Sequence, residues 1–165
     1  MGLAVPTKLE EKLVEALDRL VSEGFYVSRS EAIREAVRRL VAEQYISLQK
    51  FLRVIAEVVS ETLTFNLSEA VTDVILFGSV ARGDVTLDSD IDLLVLIKRE
   101  NAFMVRRRLH EIVYPISLAS STPVTAIVVN REEFMEWMKG GLSFAREIEK
   151  EGVQLYGDVL SLVRS

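Results

Sequence analysis

The chain has 165 residues, a net charge of −5, 49% apolar and 27% charged side chains, the profile of a soluble globular protein of one ordinary domain or two small ones rather than a disordered chain. The absence of cysteine removes disulfides, thiolate metal sites and cysteine nucleophiles, and the lone His110 excludes a multi-histidine metal site. No apolar run approaches the ~20 residues that span a bilayer, and the N-terminus lacks a secretory pattern, so a cytoplasmic location without membrane contact is expected.

Residues 1–8 read as a short strand in which Leu3, Val5 and Thr7 alternate with Ala4, Pro6 and Lys8. Pro6 lacks a donor, which confines the strand to an edge or to one-sided pairing. Leu13, Leu17 and Leu20, with Val14 and Val21, predict an amphipathic helix over about 10–23 that stops at Gly24. Phe25-Tyr26-Val27 is a connection. Ser28 and Glu31 have capping-box spacing and open a second helix, with Ser30 as an alternative cap. Ile33, Val37, Leu40 and Val41 line one face of it. A third helix is predicted over about 44–63, with Phe51, Ile55, Val58 and Val59 buried. The pattern leaves open whether it continues the second.

From Val71 the sequence alternates strands and helices. Val74–Phe77 and Ile91–Ile97 read as buried strands. A helix is predicted over 102–113 and a strand over 124–129. Residues 131–151 are helical with a break at Gly140-Gly141, and Val153–Tyr156 reads as a last strand. This predicts an α/β (α+β) domain with a small mixed sheet. Trp137 and the phenylalanines near it are expected in the core. Arg106-Arg107-Arg108 reads as a solvated helix face, and His110 as a surface or packing residue.

One constellation carries chemistry. Gly78-Ser79 ends a buried strand, and Asp90-Ile91-Asp92 opens the next. A glycine there lets a phosphate approach the backbone, and Ser79 offers a hydroxyl and an N–H beside it. Asp90 and Asp92 are two apart on a strand, so their carboxylates share one face. They repel unless a cation lies between them, and magnesium carrying phosphate oxygens is the usual solution. Each piece alone is an ordinary turn or loop cap. Together they are hard to explain as folding devices, because Asp92 lies inside an apolar strand where an unpaired charge is costly.

This segment resembles the nucleotidyltransferases of the DNA polymerase beta superfamily, and most of all their small MNT group. The motif is Gly-Ser, ten residues, then Asp-x-Asp, met here by Gly78, Ser79, Asp90 and Asp92, with Ala81-Arg82-Gly83 and Ser89 also fitting. The resemblance covers about residues 68–160. It implies that Gly78, Ser79, Arg82 and Ser89 bind the nucleotide. Asp90 and Asp92 would bind Mg2+ brought with ATP or another nucleoside triphosphate, and Asp90, Asp92 and Ser79 would serve catalysis. The family pattern also has a third carboxylate on the next strand. Here Thr125 stands near that place, and no acid lies between Ile112 and Arg131. Glu132 and Glu133 follow the strand, which a parallel connection puts at the far end from Asp90.

Residues 1–45 resemble the ribbon-helix-helix fold of the MetJ and Arc repressors. The carriers are the short strand, the helix ending at Gly24 and the segment Tyr26–Ala36. The resemblance implies an obligate dimer whose paired strands enter the DNA major groove, with Lys8, Arg29 and Ser30 as expected DNA contacts. Ala4 and Pro6 make a poor reading surface, and seven basic against eight acidic residues over 1–45 leave no basic footprint. A segment kept only for dimerisation is the competing reading.

The expected organisation is a ribbon-helix-helix DNA-binding and dimerisation domain over 1–45, a linking helix over 46–67 and a nucleotidyltransferase domain over 68–165. The expected function is transfer of a nucleoside monophosphate to a hydroxyl of a protein or other acceptor by a homodimer, with a DNA operator and a HEPN-type toxin as further partners, as in MNT antitoxins. The alternative is a nucleotide-sensing transcriptional regulator with an impaired transferase domain. A structural dimer with both sites vestigial is the third reading.

Overall fold

The computed structural model describes residues 8–98 and 102–164. The chain falls into two compact units that divide between Gln44 and Tyr45.

In the first unit, helix α1 (Glu11–Ser22) ends at Glu23, and Gly24 takes φ +80° to turn the chain. Helix α2 (Arg29–Asn66) then begins with the expected capping box. The Glu31 amide donates to Ser28 Oγ at 3.2 Å, and the Glu31 carboxylate accepts the Val27 amide at 2.8 Å. Two donors that the first turn leaves over are thereby satisfied. Among the described residues of this unit only Ala32 is buried. Leu13, Leu20, Phe25, Val27, Ile33, Val37, Leu40 and Val41 are all exposed. The predicted strand over 1–8 lies outside the described residues except for Lys8, which is exposed.

The helix expected over 44–63 continues the second one without a break, as α2. No glycine or proline interrupts residues 29–66, so nothing in the backbone forces an end. Its burial differs from expectation. Val59 is buried and Ile55 half-buried, but Phe51 and Val58 are exposed. Leu52, Ala56, Val59 and Leu63 form the inward stripe instead.

The second unit is built on a four-stranded mixed sheet of order β3-β2-β1-β4. Strand β1 (Val71–Phe77) leads through the short helix α3 (Gly78–Arg82) and a loop to β2 (Ile91–Ile97). Helix α4 (Ala102–Ser120) crosses to β3 (Val124–Asn130), helices α5 (Arg131–Gly140) and α6 (Ser143–Glu151) follow, then β4 (Val153–Tyr156) and α7 (Val159–Val163). β1 runs antiparallel to β2 and β4, and β2 runs parallel to β3, as a helical crossover requires.

Both faces of the sheet are covered, which is why β1 and β2 are nearly continuous apolar runs. Val74, Leu76, Leu93, Val95 and Ile97 meet α2 and Val105 and Val113 of α4. Ile75, Leu94, Leu96 and Val129 meet Phe134 of α5, Ala145 and Ile148 of α6 and the first residues of α7. Trp137 and Phe144 pack at the margin of that second core. α4 runs on past the expected end at 113, through Pro115, because Ile116 in its last turns packs on the first core. That packing outweighs the amide hydrogen bond the proline forfeits. None of the described helices is long and apolar enough to cross a membrane.

Among the described residues Asp73 is the one fully buried charge. Its Oδ1 accepts the amides of Asp158 and Val159, each at 2.9 Å, and Arg131 Nε lies 3.0 Å from its Oδ2. That second approach lacks hydrogen-bond geometry, so it is a charge contact only. A Cβ at Gly157 (φ +82°) would collide with the same carboxylate. Asp73 therefore fastens the start of α7 to β1, and Arg131 compensates its charge. Asp73→Asn removes the charge from both amide bonds and leaves the half-buried Arg131 with Asp158 as its remaining carboxylate partner. It should lower stability by about 2 kcal/mol. Urea unfolding reads this, and a midpoint equal to the wild type would deny Asp73 that role.

Candidate active site

The expected site residues gather where β1 ends and β2 and β3 begin. Phe77 pairs with Asp92, and Asp92 pairs in turn with Thr125. Asp92 shares its sheet face with Leu94 and Leu96, and Thr125 with Val129, so both point to the side covered by α6. Asp90 lies two residues before Asp92, exposed at the mouth of the strand. Thr125 is exposed beside Asp92. Asn130, which precedes Glu132 and Glu133, pairs with Ile97, so those glutamates follow the opposite end of the sheet. No group of three acidic or histidine side chains converges anywhere among the described residues.

The chain turns at Gly78, which takes φ +73°. A Cβ there would lie 2.5 Å from Asp92 Oδ2. The backbone angle calls for glycine, and any side chain there would have to displace the Asp92 carboxylate. Phe77, as N-cap, supplies no side-chain acceptor to the first turn of α3. Ser79 Oγ donates to Ser89 Oγ at 3.2 Å, and Ser89 Oγ accepts the Thr86 amide at 2.8 Å. Ser89 therefore ties the loop before β2 to the turn after β1.

Arg82 was expected at a phosphate. Its guanidinium meets Asp84 at 3.2 Å, Glu151 at 3.5 Å and Glu147 at 4.0 Å. The two α6 glutamates are partners that the sequence did not signal, since 69 residues separate Glu151 from Arg82. Burial pushes the Asp92 carboxyl above the usual carboxylate range, the charge of Asp90 raises it further, and Arg82 opposes both. Two carboxylates on one face suit magnesium, which commonly takes one or two carboxylates together with substrate phosphates.

The remaining expectations are placed as follows. Lys8 and Ser30 are exposed. Arg29 is held by both carboxylate oxygens of Asp18 on α1, and that bond draws the Asp18 carboxyl below its usual range. Arg107 and Arg108 are exposed, and Arg106 reaches the Val128 carbonyl at 3.5 Å. His110 is exposed and packs against Tyr114 with ring centroids 5.3 Å apart.

A mixed sheet with a Gly-Ser turn facing an Asp-x-Asp strand defines a nucleotidyltransferase fold. The chain belongs to the nucleotidyltransferase domain family, whose model matches residues 52–155. Residues 8–44 match the ribbon-helix-helix protein, CopG family, and form the N-terminal domain of that type. Two provisionally named protein adenylyltransferases of Methanocaldococcus jannaschii are similar. One is 32% identical over 54% of this chain and 83% of its own. The other is 35% identical over 50% and 76%. A spectinomycin 9-adenylyltransferase of Staphylococcus aureus is 32% identical over 41% of this chain, which spans 28% of that enzyme. A crystal structure of a toxin-antitoxin with AMP-PNP matches at 18% identity and a TM-score of 0.41, over 65% of this chain and 79% of the other.

The charges around Asp92 predict its titration in the ligand-free protein. It should hold its proton to a higher pH than an ordinary aspartate. Asp90→Asn should move the titration down, by removing a like charge, and Arg82→Gln should move it up, by removing the opposing one. Carboxyl carbon NMR reads each shift, and movement in the reverse direction would contradict this electrostatic arrangement.

Proposed function

We propose that this protein binds a nucleoside triphosphate with magnesium at Gly78, Ser79, Ser89, Asp90 and Asp92, and transfers the nucleoside monophosphate to a hydroxyl of a protein acceptor. The observation that carries this reading is the seating of Asp92 against Gly78, with Asp90 beside it and a rise in the Asp92 carboxyl that Arg82 offsets only in part. Magnesium, when bound, neutralises the triphosphate and polarises the phosphorus under attack. Asp90 and Asp92 hold it. Ser79 and the amides of its turn orient the terminal phosphates. Arg82 leaves Asp84, Glu147 and Glu151 to meet them. The acceptor oxygen bonds to the α-phosphorus, the bond from that phosphorus to the bridging oxygen breaks, and pyrophosphate leaves with the electron pair. The acceptor proton passes to solvent.

The names of the two archaeal relatives favour adenylate as the group and a protein as the acceptor. The resemblance to MNT antitoxins makes a HEPN-class toxin the expected protein. The exposed apolar faces of α1 and of residues 33–41 favour a homodimer through residues 1–45, because one copy buries almost none of this surface. Sedimentation velocity tests the dimer.

Asp90→Asn should abolish magnesium-dependent nucleotide binding. Isothermal calorimetry with a non-hydrolysable ATP analogue reads this, and wild-type affinity in the variant would sink the proposal.

A second reading is favoured by Thr125, which stands beside Asp92 where a base would be useful. In it the domain senses nucleotide without turnover, and the dimer regulates transcription from an operator. Gel-shift titration with and without ATP and magnesium distinguishes the two. In the transferase reading, Thr125→Asp adds a third carboxylate at an exposed position. It should raise pyrophosphate release by roughly 10²-fold. No gain, together with no release by the wild type, would favour the sensor.

A further inference from the structure

Helix α3 is one turn long, and its end is unusual. Both backbone amides that leave it, Gly83 and Asp84, donate to the Ser79 carbonyl, at 2.9 and 3.2 Å. The Val80 carbonyl is met instead by a side chain from α2. Gln49 Nε2 donates to it at 2.6 Å. Val80 is fully buried, so that carbonyl needs a partner.

The Gln49 side chain is only half satisfied. Its Oε1 is buried and has no hydrogen-bond partner. Turning the amide over would set oxygen against oxygen, so the Val80 carbonyl dictates the orientation. A buried unpaired acceptor costs free energy, which an apolar side chain of the same size would avoid. Leu48 and Leu52, on either side of it along α2, do pack on the core. A glutamine kept at such a cost serves the atom it holds.

That atom sits one residue after Ser79. We propose that Gln49 is a positioning residue of the nucleotide site. By anchoring the Val80 carbonyl it fixes α3, and so holds the hydroxyl and amide of Ser79 in the geometry a phosphate requires. This rests on the nucleotide reading of the site. Gln49 does not touch the nucleotide. It acts by removing motion that binding would otherwise have to freeze.

The test compares Gln49→Met with Leu52→Val, a packing change on the same helix that leaves Val80 alone. Three quantities are read on the full chain: melting temperature, amide hydrogen exchange of Gly83 and Asp84 without ligand, and affinity for a non-hydrolysable ATP analogue with magnesium. Gln49→Met removes one unpaired buried acceptor, its own Oε1, and leaves another, the Val80 carbonyl, so it should lower the melting temperature no more than Leu52→Val does, while it speeds exchange at both amides and weakens the nucleotide about tenfold. Leu52→Val should lower the melting temperature and leave affinity within about twofold. Unchanged exchange and affinity in Gln49→Met, or an affinity loss that follows the melting temperature in both variants, would overturn the inference alone. A wild type that binds no nucleotide would overturn the site reading, and this inference with it.

Discussion

The carboxylate of Asp92 occupies the space that a side chain at position 78 would fill. Most of the site follows from that one close approach. It demands glycine at the end of β1, and a strand pairing that brings Phe77 opposite Asp92. It also sets a charge into a strand whose other residues are all buried. Such a charge is tolerable only at the strand's mouth, where ions and phosphates can reach it. The two apolar cores clamp β1 and β2 from both faces, and that rigidity keeps two like charges side by side. A looser sheet would let Asp90 and Asp92 separate, and the site would lose its demand for a cation.

Much of this was legible in the sequence, because the strands obey local rules. Ile91–Ile97 and Val153–Tyr156 were placed to the residue, and the mixed sheet and the capping box of Ser28 and Glu31 were read correctly. The Gly-Ser turn and the Asp-x-Asp strand lie against each other, with Asp92 seated on Gly78. The features that escaped depend on distant packing. Phe51 and Val58 look as apolar as Leu52 and Ala56, and only the sheet decides which stripe turns inward. α4 passes Pro115 because a core lies under Ile116. Gln49 and Glu151 reach α3 from 31 and 69 residues away. No local pattern marks a glutamine that will cap a carbonyl, or a glutamate that will hold an arginine.

The two units differ in what they ask of their surroundings. The second closes its own core. The first, over its described residues, buries one alanine and leaves its larger apolar side chains in water. Two short helices cannot do otherwise, since they lack the surface to enclose an interior. Over its described residues the ribbon-helix-helix domain thus leaves an apolar face uncovered. Its electrostatics set a separate limit. Arg29, at the start of α2 where a phosphate would be gripped, is already paired with Asp18. An acidic partner on an exposed arginine competes with any DNA phosphate for the same donors.

The pairing of Thr125 with Asp92 bears on rate more than on binding. A carboxylate beside Asp92 would take the proton of the attacking hydroxyl, and a positioned general base is worth roughly 10²–10⁴-fold. Threonine cannot supply that at neutral pH. It can hydrogen-bond an acceptor and hold it near the phosphorus, which is the positioning part of catalysis. In the transferase reading, what is lost is one factor among several, since charge neutralisation and alignment would rest on Asp90, Asp92 and Ser79. The cost also depends on the acceptor. An alcohol holds its proton tightly and suffers fully, whereas a phenol, with a pKa near 10, gives it up to solvent far more readily. In the transferase reading, a site without that base would therefore favour a phenolic acceptor over an aliphatic hydroxyl.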